Sequence, residues 1–314
     1  MAESSSKIVI YAALAGNILV TVMKCVAASF TGSSAMLSEA VHSAVDCGNQ
    51  LLMLLGVHRA ARPASVTHPF GHGLQLYFWT FVVAVLVFDI GAGVPALEGI
   101  GKIWSPQPVE HPWASYVVIA LGLLFGGVTW LVAVRAFRKV KGDRGWIEAV
   151  RFSNDPTVFT VLFEDSAALL GLVTALIGIW CSQALGMPVL DGVASLIIGL
   201  ILAGTAAFLA WECQSLMTGE AAAPEVRRGI RQIVGEAAAV ARPNDILTMH
   251  FGPRDVLAAL SLEFQQDCPA AEVEAAVSRV KQRIKANHPE VTRVFVEAQR
   301  GEAHRRSQDA LVRE

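Results

Sequence analysis

The stretch Ser38-Glu39-Ala40-Val41-His42-Ser43-Ala44-Val45-Asp46 places three ionisable side chains inside an apolar run. On a helix, His42 and Asp46 stand one turn apart (i, i+4), and Glu39, three residues before His42, falls on the same face. A charged group at mid-membrane costs about 2.5–3.5 kcal/mol even on the lenient insertion scale. Such a cluster reads as one half of a metal site, and the rest of the chain must supply the other half.

The surrounding segment, about Met36 to Val57, has the length of roughly 20 mostly apolar residues that a spanning helix needs. Five further segments qualify: about Ile8 to Phe30, Leu74 to Ile100, Trp113 to Ala136, Val158 to Leu185 and Val189 to Met217. The tight join Thr31-Gly32-Ser33-Ser34 makes the first two antiparallel neighbours. The 314 residues are 54% hydrophobic and 17% charged, against roughly 25% charged residues in soluble domains, which excludes an ordinary soluble protein. A formal net charge of −2, with no basic stripe interleaved with aromatics, excludes a nucleic-acid binder. Cys25, Cys47, Cys181, Cys213 and Cys268 are scattered, without a CxxC pair; four fall in apolar segments, where a cysteine reads as a small buried hydrophobe, and they do not suggest a disulfide framework. The start, Met1 to Lys7, is too short and acidic for a transit peptide, so the first apolar run is expected as a retained span.

Basic residues set the orientation. Arg59 and Arg62 follow the second span, and Arg135, Arg138, Lys139, Lys141, Arg144 and Arg151 lie between the fourth and fifth. Lys7 precedes the first span, and Arg227, Arg228 and Arg231 follow the sixth. The positive-inside rule then puts both termini in the cytoplasm. After Gly219 the composition turns soluble. Pro224 to Val234 reads as an amphipathic helix, Asp245 to Phe251 and Val256 to Phe264 as strands, Pro269 to Asn287 as a helix and Val291 to Glu297 as a third strand. The expected fold class is a membrane all-α, six-helix transmembrane bundle followed by a small α/β ferredoxin-like cytoplasmic domain. The expected boundaries are 1–218 for the membrane domain, 219–300 for the cytoplasmic domain and 301–314 for a polar tail.

The other half of the site is sought on the fifth span, in Thr160-Val161-Leu162-Phe163-Glu164-Asp165-Ser166. Adjacent residues on a helix point about 100° apart, so Glu164 and Asp165 face different directions. His42, Asp46 and Asp165 offer an imidazole and two carboxylates, with Glu164, Glu39 or water as the fourth ligand. Zinc accepts such a set, as do iron(II), manganese and cobalt. These groups lose protons to bind a metal, so the site suits exchange of protons for a divalent cation. A structural reading pairs Glu164 with Lys24 instead. Asp89, near Gly91, Gly93 and Pro95 in the third span, serves a proton path or pairs with Lys24, and a helix kink is expected there. His68 and His72 form either a secondary metal site or a turn whose ring nitrogens contact backbone. His250 and His288 read as packing or surface residues.

The His-x-x-x-Asp of span two, the Asp of span five, His68-Pro69-Phe70-Gly71-His72-Gly73 and Asp191 at the start of span six together resemble the cation diffusion facilitator family. The segment Asp155 to Ala168 is most similar to a divergent branch that includes animal mitochondrial zinc transporters. The resemblance implies proton-coupled efflux of a divalent cation, usually zinc, by a homodimer joined through its cytoplasmic domains. It implies no enzymatic activity and no cofactor beyond the transported ion. With both termini inside, the expected location is a bacterial inner membrane. The family's extra ligand, four residues before the span-five Asp, is Val161 here, so the site has one His and two or three carboxylates. Leu74 replaces a basic residue often found after the span-two loop. The missing ligand supports an alternative, a non-transporting metal sensor or heterodimer partner with the same fold. An intramembrane hydrolase is rejected, since no HExxH helix is present.

Overall fold

A computed structural model describes residues 2–31, 34–106, 112–141, 145 and 156–311. It divides into two compact units: Met1–Ala61 with Gln75–Gln214, and Arg62–Leu74 with Ser215–Glu314.

The first unit is helical. Its elements are α1 (Ala2–Thr31), α2 (Ser34–Ala60), α3 (Leu74–Leu86) running through a π-helical turn at Val87–Ala92 into α4 (Gly93–Trp104), α5 (Pro112–Lys141), α6 (Pro156–Leu185) and α7 (Val189–Met217). Four stretches are long and apolar enough to cross a membrane: Leu74–Trp104, Ser115–Lys139, Pro156–Leu185 and Val189–Met217. The chain is therefore a multi-pass membrane protein. Within α1 only the shorter Leu14–Met23 reaches that apolarity among the described residues.

Packing follows from small residues and complementary apolar faces. α1 packs on α2, α5 and α6, and α5 packs on α6. At the α1–α5 crossing, a Cβ on Gly16 would stand 2.5 Å from the Thr129 methyl group. The buried core holds Ile10, Met53, Val83, Phe137, Phe159 and Leu209. α4 and α7 approach backbone to backbone, because a Cβ on Gly99 would meet Leu196 N at 2.7 Å and Gly192 O at 2.8 Å. Close backbone approach at small residues is the usual way membrane helices gain contact. At the open end of this pair, Lys102 Nζ donates to Asp191 Oδ2 over 2.8 Å. The expected kink takes the form of the π turn. Pro95 has no N–H for the carbonyl of residue 91, and one wider turn just before it absorbs the misfit.

The second unit contains α8 (Pro224–Gly235), β1 (Val240–Gly252), β2 (Asp255–Phe264), α9 (Ala270–Asn287), β3 (Val291–Ala298) and α10 (Gly301–Leu311). The sheet is open and three-stranded, in the order β1-β2-β3, with β1 antiparallel and β3 parallel to β2. The described fold is thus a small β/α domain whose sheet has one strand fewer than the four of the ferredoxin-like unit. Alternate residues of β2, Val256, Ala258, Leu260 and Leu262, bury against Ile230 and Val234 of α8 and Val280 and Ile284 of α9. On the other face, Leu247, Ala259 and Phe295 form one cross-strand row, and Leu247 and Phe295 are exposed.

β1 starts five residues before the sequence-expected strand. Register shifts at Val240/Arg242 and Pro243/Asp245 let the ladder pass Pro243, which cannot donate. Residues 301–314, expected as a polar tail, include the helix α10. Arg62–Leu74 belongs to this unit. A Cβ on Gly73 would meet Phe251 O at 2.1 Å, and Gly71 takes φ 84°, a region that favours glycine.

Candidate metal site in the membrane

α2 carries Asp46 and α6 carries Glu164 and Asp165. Asp46 lies close enough to both acids to interact with them electrostatically. Glu164 is buried, and Asn49 Nδ2 donates to Glu164 Oε1 over 3.1 Å. Two residues further along α6, Trp130 Nε1 of α5 donates to Ser166 Oγ (2.8 Å), and Ser166 Oγ donates to Leu162 O (2.6 Å). That chain fixes the α5–α6 contact beside Asp165.

Asp46 is thus within electrostatic range of Glu164 and Asp165, three of the residues expected at the site. His42 lies on α2 one turn before Asp46, but its side chain, like those of Glu39 and Lys24, is outside the described residues. The ion pairs expected of Lys24 are outside them too. Among the described residues, no three His, Cys, Asp or Glu side chains are arranged to hold a metal ion. Val161, at the position where the resemblance implies a further ligand in other members, is buried among apolar residues of the core. Asp89 sits on the π turn and is exposed.

Asn49 and Gln50 were not singled out from the sequence, although their positions three and four after Asp46 put them on its helix face. Both are buried, as is Thr160, one turn before Glu164. Asn49 Oδ1, Gln50 Oε1, Thr160 Oγ1, Glu164 Oε2 and Asp165 Oδ2 are buried oxygens with no hydrogen-bond partner among the described residues.

The second unit holds the remaining candidates. The rings of His68 and His72 lie 4.4 Å apart between centroids. His68 Nδ1 meets Thr67 Oγ1 at 3.1 Å, and His72 Nδ1 meets the Pro63 carbonyl at 3.2 Å. His250 is buried, with Nδ1 3.4 Å from Gly252 O and Nε2 without a hydrogen-bond partner among the described residues. Burial pushes its pKa below the ordinary histidine value, and the Gly252 carbonyl only partly offsets this. His288 Nδ1 is 3.7 Å from Glu290 Oε1.

Residues 10–217 match the cation efflux transmembrane domain. The chain belongs to the cation efflux family. It is similar to the proton-coupled zinc antiporter SLC30A9, mitochondrial, of Xenopus laevis, with 32% identity over 258 residues, covering 82% of this chain and 46% of that protein. It is 28% identical over 193 residues to metal tolerance protein C4 of Arabidopsis thaliana, covering 61% of this chain and 42% of that protein. It is 26% identical over 298 residues to the cation-efflux pump FieF of Escherichia fergusonii, covering 92% of each. The chain spans about half the length of the SLC30A9 relatives it matches. Membership places it among membrane transport proteins and not among enzymes.

Proposed function

We propose that this cation efflux family member is a proton-coupled exporter of a divalent cation, with zinc the expected ion and iron(II), manganese and cobalt the alternatives. The observation that supports this is the buried Asn49–Glu164 hydrogen bond, which ties the helix carrying Asp46 to the helix carrying Glu164 and Asp165. Buried carboxylates at that depth need a cation or protons to offset their charge. His42, Asp46 and Asp165 would bind the ion with Glu164 beside them, and loading the ion from one side would displace protons from these groups. Rearrangement of the helices would expose the site to the other side, where protons return and the ion leaves.

In this reading α1 and α2 also cross the bilayer, giving six spans with both termini in the cytoplasm of a bacterial cell. The C-terminal unit follows the ferredoxin-like scheme and joins two copies into a homodimer. Residues 1–218 form the transport domain, 219–300 the soluble domain and 301–314 the tail. His68 and His72 would form a secondary cation site, and Glu39, Asp89 and Lys24 a proton path or structural ion pairs.

The test is zinc movement into proteoliposomes holding the full chain under a proton gradient. Uptake that depends on the gradient and is lost in the Asp46→Ala/Asp165→Ala double variant is the expected result. Uptake that survives the double variant overturns the site. The buried Val161 favours a second reading, a metal sensor or heterodimer partner that does not transport. That reading requires zinc binding without gradient-driven uptake.

A further inference from the structure

We propose that Asn49 sets which divalent cation the membrane site accepts, by holding Glu164 through its amide and offering its own carbonyl oxygen to the ion. This deepens the proposed function and rests on Asp46 and Asp165 as cation ligands.

The geometry starts on two helix faces. Asp46, Asn49 and Gln50 are related by three and four residues on α2, and Thr160 and Glu164 by four on α6. The Asn49–Glu164 hydrogen bond, 3.1 Å long and buried, joins the two faces directly. A carboxamide has two donor hydrogens and one acceptor oxygen. Asn49 uses a donor on Glu164; its Oδ1, like Gln50 Oε1, Thr160 Oγ1, Glu164 Oε2 and Asp165 Oδ2, has no hydrogen-bond partner among the described residues. An unsatisfied buried polar atom costs about 1–3 kcal/mol; the oxygens of Asn49, Gln50, Glu164 and Asp165 are four acceptors on the same two helices, and the Thr160 hydroxyl can accept as well as donate. A cation, bare or with a bound water, is the species that satisfies acceptors without asking for any in return.

The chemistry of the set predicts its preference. Val161 supplies no donor to the turn before Asp165, and Asn49 supplies one from the facing helix. That donor is a neutral oxygen. Oxygen donors favour harder ions such as manganese over softer ions such as cadmium. Asn49 therefore acts as a positioning residue for Glu164 and as a selectivity residue through Oδ1.

The experiment measures KM and kcat for zinc, manganese and cadmium in proteoliposomes of the full chain. The variants are Asn49→Leu, Asn49→Ser and the exchange Asn49→Asp/Glu164→Gln. In Asn49→Leu, loss of a hydrogen bond to a charged group is expected to raise KM for zinc and manganese about tenfold, with kcat changed less than about threefold. KM for cadmium is expected to rise less than about threefold, because the lost donor is a hard oxygen. Asn49→Ser, whose hydroxyl is too short to reach Glu164, repeats the pattern and covers the case in which Leu is not tolerated. The exchange keeps one amide and one carboxylate with the donor on α6, and zinc KM is expected within about threefold of the parent protein. A uniform rise for all three ions, a change in kcat alone, or an exchange variant as impaired as Asn49→Leu overturns the assignment. Transport that survives Asp46→Ala/Asp165→Ala overturns the site reading instead. A parent protein that neither binds nor moves any of the three ions overturns both.

Discussion

The ring of Phe70 stacks on that of Phe251, with centroids 5.0 Å apart and planes 24° from parallel. Phe70 lies in the segment between α2 and α3, and Phe251 is the next-to-last residue of β1. Arg293 of β3 sits 5.5 Å over the Phe70 ring and donates through Nη1 to both Asp255 oxygens, at 2.6 and 2.7 Å. Thr292 donates to the same carboxylate. The connection between α2 and α3 is thus built into the C-terminal unit by an aromatic pair, a cation–π contact and an ion pair.

Phe70→Ala removes the stacked ring and the surface under Arg293. Such an aromatic pair contributes about 0.5–1.5 kcal/mol beyond area burial. Hydrogen exchange of the full chain is expected to speed up in peptides covering residues 62–74 by about threefold or more. Exchange in α9 is expected to stay as in the parent protein, since α9 packs on the opposite face of the sheet.

Arg293→Ala leaves Asp255 with Thr292 but without its guanidinium. The pair is roughly a quarter exposed on each side, so screening holds its contribution to about 1 kcal/mol. A double-mutant cycle with Asp255→Ala, read by urea unfolding, is expected to return a coupling of that size. Zero coupling would show that Arg293 acts only through Phe70.

His250 gives the C-terminal unit an acid limit. Its pKa is lowered by burial, so the folded state favours the neutral ring. Below the ordinary histidine value of 6.5 the unfolded chain binds more protons than the folded one. Stability contributed by this group is complete above pH 6.5 and is lost as pH falls through the depressed folded pKa. Urea midpoints measured at descending pH from 7 are expected to fall in the parent protein and to fall less steeply in His250→Leu. Equal slopes in the two proteins would remove His250 as the cause.

Gly99→Val places a branched side chain where backbone atoms of Leu196 and Gly192 stand within 3 Å of a Cβ. Neither helix can yield by a rotamer change, so the cost is expected at or above the usual 1–3 kcal/mol of overpacking, roughly. Thermal melting of the full chain in detergent is expected to show a lower midpoint. Gly101→Ala, with nothing within 4 Å of the added carbon, is the matched control and is expected to leave it unchanged.

Much of this organisation could be read from residue order because membrane helices and amphipathic strands announce themselves by composition and period. The helices lie where the apolar runs predict them, and β2, α9 and β3 begin and end within two residues of their sequence signals. The carboxylates of α6 stood out because charge is expensive in an apolar run. Asn49, Gln50 and Thr160 did not, because uncharged polar residues are ordinary in such helices and only the Asn49–Glu164 contact reveals their relation. Phe70 was equally silent. An aromatic in a glycine-rich loop says nothing of which strand it will meet 181 positions later, at Phe251. The early start of β1 was hidden by Pro243, which argues against a strand until two bulges accommodate it.

The π turn at Val87–Ala92 has a consequence for phase. A turn closed by i→i+5 bonds takes up one residue more than an α turn, and each residue of an α-helix advances the wheel by about 100°. The Leu74–Trp104 span is therefore two helices out of step, and a wheel drawn continuously through it misplaces the face of α4. Gly99 meets α7, and Lys102 reaches Asp191, because of that one added residue. A deletion inside 87–92 that restored ordinary winding would swing both away from α7. A relative shorter by one residue here would differ in rotation as well as in length.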